Sequence, residues 1–230
     1  MSTTNSFWAV VPAAGVGKRM QADRPKQYLP LLGQTVIEQT LWRLLEVPAF
    51  KGIVVAISET DPYWPELAVA QHAKVSTAPG GKERADSVLS GLRHIQDLAA
   101  ADDWVLVHDA ARPCITAADI NKLMTTLQQD PVGGILALAS HDTLKEVHDG
   151  AITASVNRSY IWRALTPQMF RYGLLMTALE QAEGNPSITD EASALELLGY
   201  QPKIVAGRAD NIKITSPEDL ALAQFYREQQ

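Results

Sequence analysis

The sequence predicts an α/β fold: a mostly parallel sheet with helices on both faces and a protruding β-arm. Three observations predict it. Apolar runs of strand length alternate with stretches of helical spacing, the order that builds a parallel sheet under helices. The first run leads directly into a loop of small residues and glycines that ends in cations. The alternation breaks once, where two β-prone runs flank Asp149-Gly150.

Each element has its own reason. Residues 7–11, Phe-Trp-Ala-Val-Val, are uniformly apolar and end at Pro12, as a strand buried on both faces requires. Thr35-Val36-Ile37-Glu38 reads as a capping box, opening a helix through Leu44 and Leu45. Residues 53–57 are a second buried strand. Val88, Leu92 and Ile95 set a helical period across residues 84–98. Residues 104–107 form a strand, 117–127 a helix, and 135–139 a further strand. Residues 140–158 leave the pattern. Their two runs are too polar for core strands, and Asp-Gly between them signals a hairpin. We expect an arm that packs on a second subunit, making the protein a homodimer. Helices follow at 174–183 and 189–198, the second stopped by Gly199. Residues 203–205 and 212–214 are expected as short strands. Ser216-Pro217-Glu218-Asp219 opens a last helix, with Ser at the cap, Pro at the first position and acids in the first turn. The 230 residues fit a single domain with one core.

Composition narrows the function. With 46% hydrophobic and 20% charged residues, the chain reads as an ordinary soluble globule. A formal net charge of −6 argues against nucleic-acid binding, which needs a basic surface. Cys114 is the only cysteine, so neither an internal disulfide nor a cysteine zinc site is expected. No apolar run approaches the ~20 residues of a membrane span. The start lacks a basic and then apolar leader pattern, and the expected compartment is the cytoplasm.

The loop after the first strand carries the chemistry. In Val10-Val11-Pro12-Ala13-Ala14-Gly15-Val16-Gly17-Lys18-Arg19-Met20, small residues let backbone N–H groups line an anion closely. A Walker loop needs Ser or Thr after Gly-Lys, and here Arg19 follows Lys18. A dinucleotide fingerprint needs a third glycine where Met20 stands, which argues against an oxidoreductase. Lys18, Arg19, Arg24 and Lys26 give the loop its own cations, as a triphosphate demands. A plain glycine turn with solvated cations fits the loop alone. The adjoining Pro25-Lys26-Gln27-Tyr28-Leu29 favours the phosphate reading.

These residues resemble the opening of the cytidylyltransferases of isoprenoid biosynthesis, and most closely the 2-C-methyl-D-erythritol 4-phosphate cytidylyltransferase family of the non-mevalonate pathway. Four further segments agree in order: Gly80-Gly81-Lys82-Glu83-Arg84-Ala85-Asp86-Ser87-Val88, His108-Asp109-Ala110-Ala111-Arg112-Pro113, Thr189-Asp190-Glu191-Ala192-Ser193, and Ala209-Asp210-Asn211-Ile212-Lys213-Ile214-Thr215. The resemblance spans nearly the whole chain. It implies a Rossmann-like nucleotidyltransferase domain, a dimer through a β-arm, Mg²⁺ as cofactor, and the transfer of CMP from CTP to methylerythritol phosphate with release of pyrophosphate.

The resemblance also implies roles. Arg19 and Lys26 would stabilise the transition state, and Arg158 and Lys213 would hold the attacking phosphate. Ala13, Ala14, Gly15, Gly17, Lys18, Gly81 and Ser87 would bind CTP. Asp109, Thr143, Thr166 and Thr189 would bind the polyol phosphate, Thr143 from the partner chain. Asp109 and Asp210 are the candidate metal carboxylates. His108 and Arg112 would brace the loop, and Cys114 would pack in the core. Lys82 stands where many relatives have a small or acidic residue. The nearest alternative is a ribitol-phosphate cytidylyltransferase; Ala111 and Glu191-Ala192-Ser193 favour methylerythritol phosphate. A non-catalytic nucleotide-binding regulator on the same fold is the alternative of another class, and no expected cation is missing.

Overall fold

The computed structural model describes residues 5–15, 20 and 23–230. In chain order the elements are β1 (Phe7–Pro12), β2 (Pro30–Leu31), β3 (Gln34–Thr35), α1 (Val36–Leu45), β4 (Phe50–Ile57), β5 (Val75–Pro79), α2 (Arg84–His94), β6 (Trp104–Val107), α3 (Ala117–Leu127), β7 (Gly133–Ala139), β8 (Leu144–His148), β9 (Ala151–Val156), β10 (Trp162–Arg171), α4 (Tyr172–Gln181), α5 (Glu191–Leu197), β11 (Lys203–Ala206) and α6 (Pro217–Glu228). The central sheet runs β11-β7-β10-β6-β1-β4-β5. Only β10 opposes its neighbours, pairing antiparallel with β6 and β7.

β1 shows why the central strands read as unbroken apolar runs. Successive side chains point to opposite faces, and both faces are covered. Ala9 and Val11 join Ile37, Leu41 and Leu44 of α1 and Ile120, Leu123 and Leu127 of α3 on one face. Trp8 and Val10 join Val88 and Leu92 of α2, Leu175 and Leu179 of α4, and Leu195 of α5 on the other. Helix α2 lies so close to β1 that a Cβ at Gly91 would sit 2.6 Å from a Val10 methyl. A third cluster, with Leu31, Val36, Cys114, Ile214 and Ala223, seats α6 beside the end of the sheet.

The capping signals formed as written. Thr35 Oγ1 accepts from the Glu38 N–H at 3.3 Å, and Glu38 accepts from the Thr35 N–H at 2.9 Å. Asp219 accepts from the Ser216 N–H at 2.8 Å at the start of α6. The helix expected at 189–198 starts later, because Asp190 is its cap and accepts from the Ser193 N–H at 2.9 Å.

Three expectations need correction. β5 was not foreseen; it is an edge strand ending in a proline, with a weak apolar signal. β10 was not foreseen either. Pro167 interrupts its sequence, and the β10–β7 ladder shifts register between Ala164 and Gln168, where a residue without an N–H is tolerated. Residues 212–214 are not a strand. Ile214 donates its N–H to the Ala111 carbonyl at 2.9 Å, so the segment is tied to the loop after β6.

The arm is a two-stranded antiparallel hairpin, β8 with β9, separate from the sheet. Asp149 and Gly150 both have positive φ, 50° and 77°, as the two-residue turn joining such strands demands. Every residue of β9 is exposed.

Candidate active site

The pocket of interest opens at the carboxyl ends of β1, β5 and β6, where open α/β sheets bind ligands. β1 lies between β6 and β4, with β5 beyond β4, and the loops leaving β1, β5 and β6 line the pocket. One wall is Ala13, Ala14 and Gly15. It is fixed from below by the Ala13 N–H, which donates to the Ala56 carbonyl at 2.8 Å. It is fixed from the side by Gln27, whose buried amide donates to the Ala13 carbonyl at 2.6 Å.

The opposite wall is the turn entering α2. The Gly81 N–H donates to Ser87 Oγ at 3.0 Å, and that hydroxyl donates to the Glu83 carbonyl at 3.2 Å. A Cβ at Gly81 would collide with Asp86, and one at Gly80 would collide with Ala14 across the cleft. Small residues are therefore required on both walls. Lys82 also lines the pocket.

The floor is electrostatic. Asp109, just past β6, is buried. Its Oδ1 accepts from Arg84 Nε at 2.9 Å, and its Oδ2 faces Lys213 Nζ at 2.9 Å and Arg112 Nε at 3.5 Å. Burial alone would raise its pKa, but Arg84, Lys213 and Arg112 outweigh burial and hold the carboxyl well below the usual range. Lys26 lines the same pocket, and its Nζ donates to the Ile214 carbonyl at 2.9 Å. A carboxylate this heavily opposed leaves the pocket with surplus positive charge, suited to phosphate groups.

His108 braces the floor. Its Nδ1 lies 2.9 Å from Thr166 Oγ1, and its Nε2 lies 3.1 Å from the Arg112 carbonyl. The carbonyl can only accept, so Nε2 carries the hydrogen and Nδ1 accepts from the hydroxyl. Burial pushes its pKa down to about 4, against an ordinary 6.5. A neutral, fully engaged imidazole is a support, not a base.

Lys26, Lys213, Asp109, Ala13, Ala14, Gly15, Gly81 and Ser87 come together as expected on this one pocket. Gly17, Lys18 and Arg19 lie outside the described residues. Five expected residues sit elsewhere. Thr166 is buried behind Asp109, where its hydroxyl accepts from the Asp109 N–H at 3.1 Å; it is frame, not pocket surface. Thr189 is exposed beside an adjoining hollow between α2 and the 182–190 loop. Thr143 and Arg158 lie on the arm, where Arg158 donates to the His141 carbonyl at 2.5 Å. Asp210 is paired with Arg208 and does not line the pocket.

The metal expectation changes accordingly. Among the described residues no three His, Cys, Asp or Glu side chains converge as a metal cluster. Asp109 is taken up by three cations and Asp210 by Arg208. These carboxylates do not build a cage for a resident ion.

The sequence did not single out Arg84 and Glu191 as site residues, although both lie in quoted motifs. Arg84 reaches Asp109 with one nitrogen and Glu191 Oε1 and Oε2 with two others, at 2.6 and 3.1 Å. Nothing in linear spacing says that residues 84, 109 and 191 meet.

Comparison with known proteins agrees with the geometry. A family model described as 2-C-methyl-D-erythritol 4-phosphate cytidylyltransferase matches residues 7–229. A protein of that name from Pseudomonas aeruginosa (strain UCBPP-PA14) is 58% identical over 222 residues, 95% of each chain. One from Aliivibrio fischeri (strain MJ11) is 55% identical over 228 residues, 98% of this chain and 95% of that one. A crystal structure of the Francisella tularensis enzyme of that name aligns with a TM-score of 0.84 at 36% identity, covering 96% of this chain and all of that one.

Proposed function

Because this chain belongs to the 2-C-methyl-D-erythritol 4-phosphate cytidylyltransferase family, we propose that its pocket joins CTP to 2-C-methyl-D-erythritol 4-phosphate. It transfers CMP, giving 4-diphosphocytidyl-2-C-methyl-D-erythritol and pyrophosphate, a step in isoprenoid precursor biosynthesis. The observation that carries this reading is the meeting of Lys26 and Lys213 on one pocket with the Gly81 turn.

A phosphate oxygen of the polyol phosphate attacks the α-phosphorus of CTP. The bond from that phosphorus to the bridging oxygen breaks, and pyrophosphate leaves. Two anions must approach, so the protein's work is positioning and neutralisation. Lys26, with Arg19, neutralises the triphosphate. Lys213 receives the attacking phosphate. The narrow slot between Ala14 and Gly81 seats the nucleoside, where backbone groups can read the cytosine edge. Mg²⁺ would come in with CTP and supply further neutralising charge, its ligands coming mainly from the triphosphate because the described residues offer no cluster of three metal-ligating side chains. No step here requires a proton to be removed, because the attacking phosphate is already ionised.

The arm completes the site in a homodimer. On this reading Thr143 and Arg158, which lie on the arm and do not line the pocket of their own chain, serve a partner's pocket. The arm's Val147 and Ile152 are 53% and 65% exposed, an apolar surface that a second copy would cover. No helix among the described residues is long and apolar enough to cross a membrane. The cytoplasm is the compartment we assign, in keeping with one buried, unpaired cysteine.

Pyrophosphate release from CTP, Mg²⁺ and each polyol phosphate tests the reading. Turnover with methylerythritol phosphate is expected. Turnover with ribitol 5-phosphate alone would reassign the substrate, and no turnover with any nucleotide would leave a regulator.

A further inference from the structure

One buried carboxylate of the floor plays no part in the proposed chemistry. Glu191 is 1% exposed, in the first turn of α5. It does not line the pocket, yet it holds Arg84, which does. Its two oxygens take both terminal nitrogens of Arg84, leaving Arg84 Nε for Asp109 Oδ1. Asp109 Oδ2 then faces Lys213 Nζ at 2.9 Å. The four side chains alternate in charge from the helix start to the pocket wall.

We infer that Glu191 is a positioning residue for the attacking phosphate: it holds the Arg84 fork, which orients Asp109, which fixes the Lys213 ammonium at the pocket wall. This rests on the reading that Lys213 receives the polyol phosphate.

The anchoring at either end supports it. Asp190 and Ala192 flank Glu191 and are both held by Gln168 of β10: its Nε2 donates to Asp190 Oδ2 at 2.8 Å, and its Oε1 accepts from the Ala192 N–H at 3.0 Å. The Lys213 backbone is also pinned. Asn211 donates to the Thr166 carbonyl at 2.8 Å and accepts from Arg112 at 2.7 Å, while Ile214 is held through both its N–H and its carbonyl. The steerable part of Lys213 is therefore its side chain. A guanidinium prefers to engage a carboxylate with two parallel N–H bonds. Glu191 satisfies that preference. Without it, Arg84 is free to turn and take both Asp109 oxygens, competing with Lys213.

The alternative role gives the opposite sign. If Glu191 merely dilutes the site's positive charge, removing its charge would tighten phosphate binding. If it positions, removal weakens binding. Steady-state pyrophosphate release with Glu191→Gln, which keeps the shape and drops the charge, separates the two. The KM for methylerythritol phosphate should rise about tenfold, the scale of a lost charge-assisted contact, while that for CTP moves less than about threefold. In a Lys213→Ala background the same change should add less than about twofold, because the residue it acts through is gone. A KM for the polyol phosphate that stays or falls, equal rises for both substrates, or a full additive effect without Lys213 would each overturn the inference. If Glu191→Gln does not fold, Glu191→Asp, which keeps charge but shortens the reach, carries the same comparisons. A wild-type enzyme silent with methylerythritol phosphate would overturn both the function and this inference; an active one with the wrong KM pattern would overturn this alone.

Discussion

The pocket and the arm are built on opposite terms. The pocket stands on buried strands and a floor in which Asp109, Arg84, Glu191, Arg112 and Lys213 answer one another. The arm is a lone hairpin with apolar side chains turned outward. An isolated two-stranded hairpin is marginal in water. The pocket is thus pre-organised within one chain, while the arm has no packed face of its own. On the proposed reading the difference separates two jobs: charge neutralisation by the rigid pocket, and completion of the polyol site by a neighbour's arm.

Breaking the pocket should have the largest effect. Lys26→Ala is expected to lower kcat/KM for CTP by about 10²- to 10³-fold, the scale of losing one preorganised charge from a transition state, with the fold intact by circular dichroism. Full turnover by that variant would remove Lys26 from the chemistry. Breaking the core beneath it should cost stability instead. Leu41 is fully buried against β1, and Leu41→Ala should cost about 2–5 kcal/mol by denaturant unfolding.

The floor should also respond to acid. His108 has a folded pKa below its ordinary value, so the unfolded chain takes up the proton first. Its contribution is whole above pH 6.5 and is lost as pH falls toward 4, a change of about 3 kcal/mol. Urea unfolding of wild type and His108→Asn across that range checks this: the variant should show a shallower slope. An identical slope would mean that His108 is not the group responsible. The arm should be least costly to alter. Ile152→Ala should change the unfolding free energy of a dilute monomer by less than about 0.5 kcal/mol, because the side chain is exposed there. A larger loss would place Ile152 in a core it does not occupy within one chain.

The same comparison explains what the sequence disclosed. Residues of β1 and β6 are apolar on both faces, and the Asp149-Gly150 turn has its own chemistry, so sheet core and arm were both legible. The pocket walls were legible too: Ala14 lies in the small-residue loop after β1, and Gly81 in a segment that carries the family resemblance. β10 was not, since its pairing joins distant segments and Pro167 sits at its irregularity. Nor was the floor. Arg84 and Glu191 are 107 positions apart, and only the fold brings them together. Asp210, by contrast, is paired locally with Arg208, two residues away, and lies off the pocket.

Subunit complementation tests most directly whether pocket and arm of different chains make one site. Lys26→Ala and Arg158→Ala proteins, each nearly inactive, would be unfolded together, refolded as a mixture and assayed for pyrophosphate release. If the arm serves the partner's pocket, each mixed dimer has one site free of both substitutions, and activity should recover to roughly a quarter of wild type. If the mixture stays as inactive as its components while mixed dimers form, Lys26 and Arg158 serve the same chain's pocket, and the divided site is wrong.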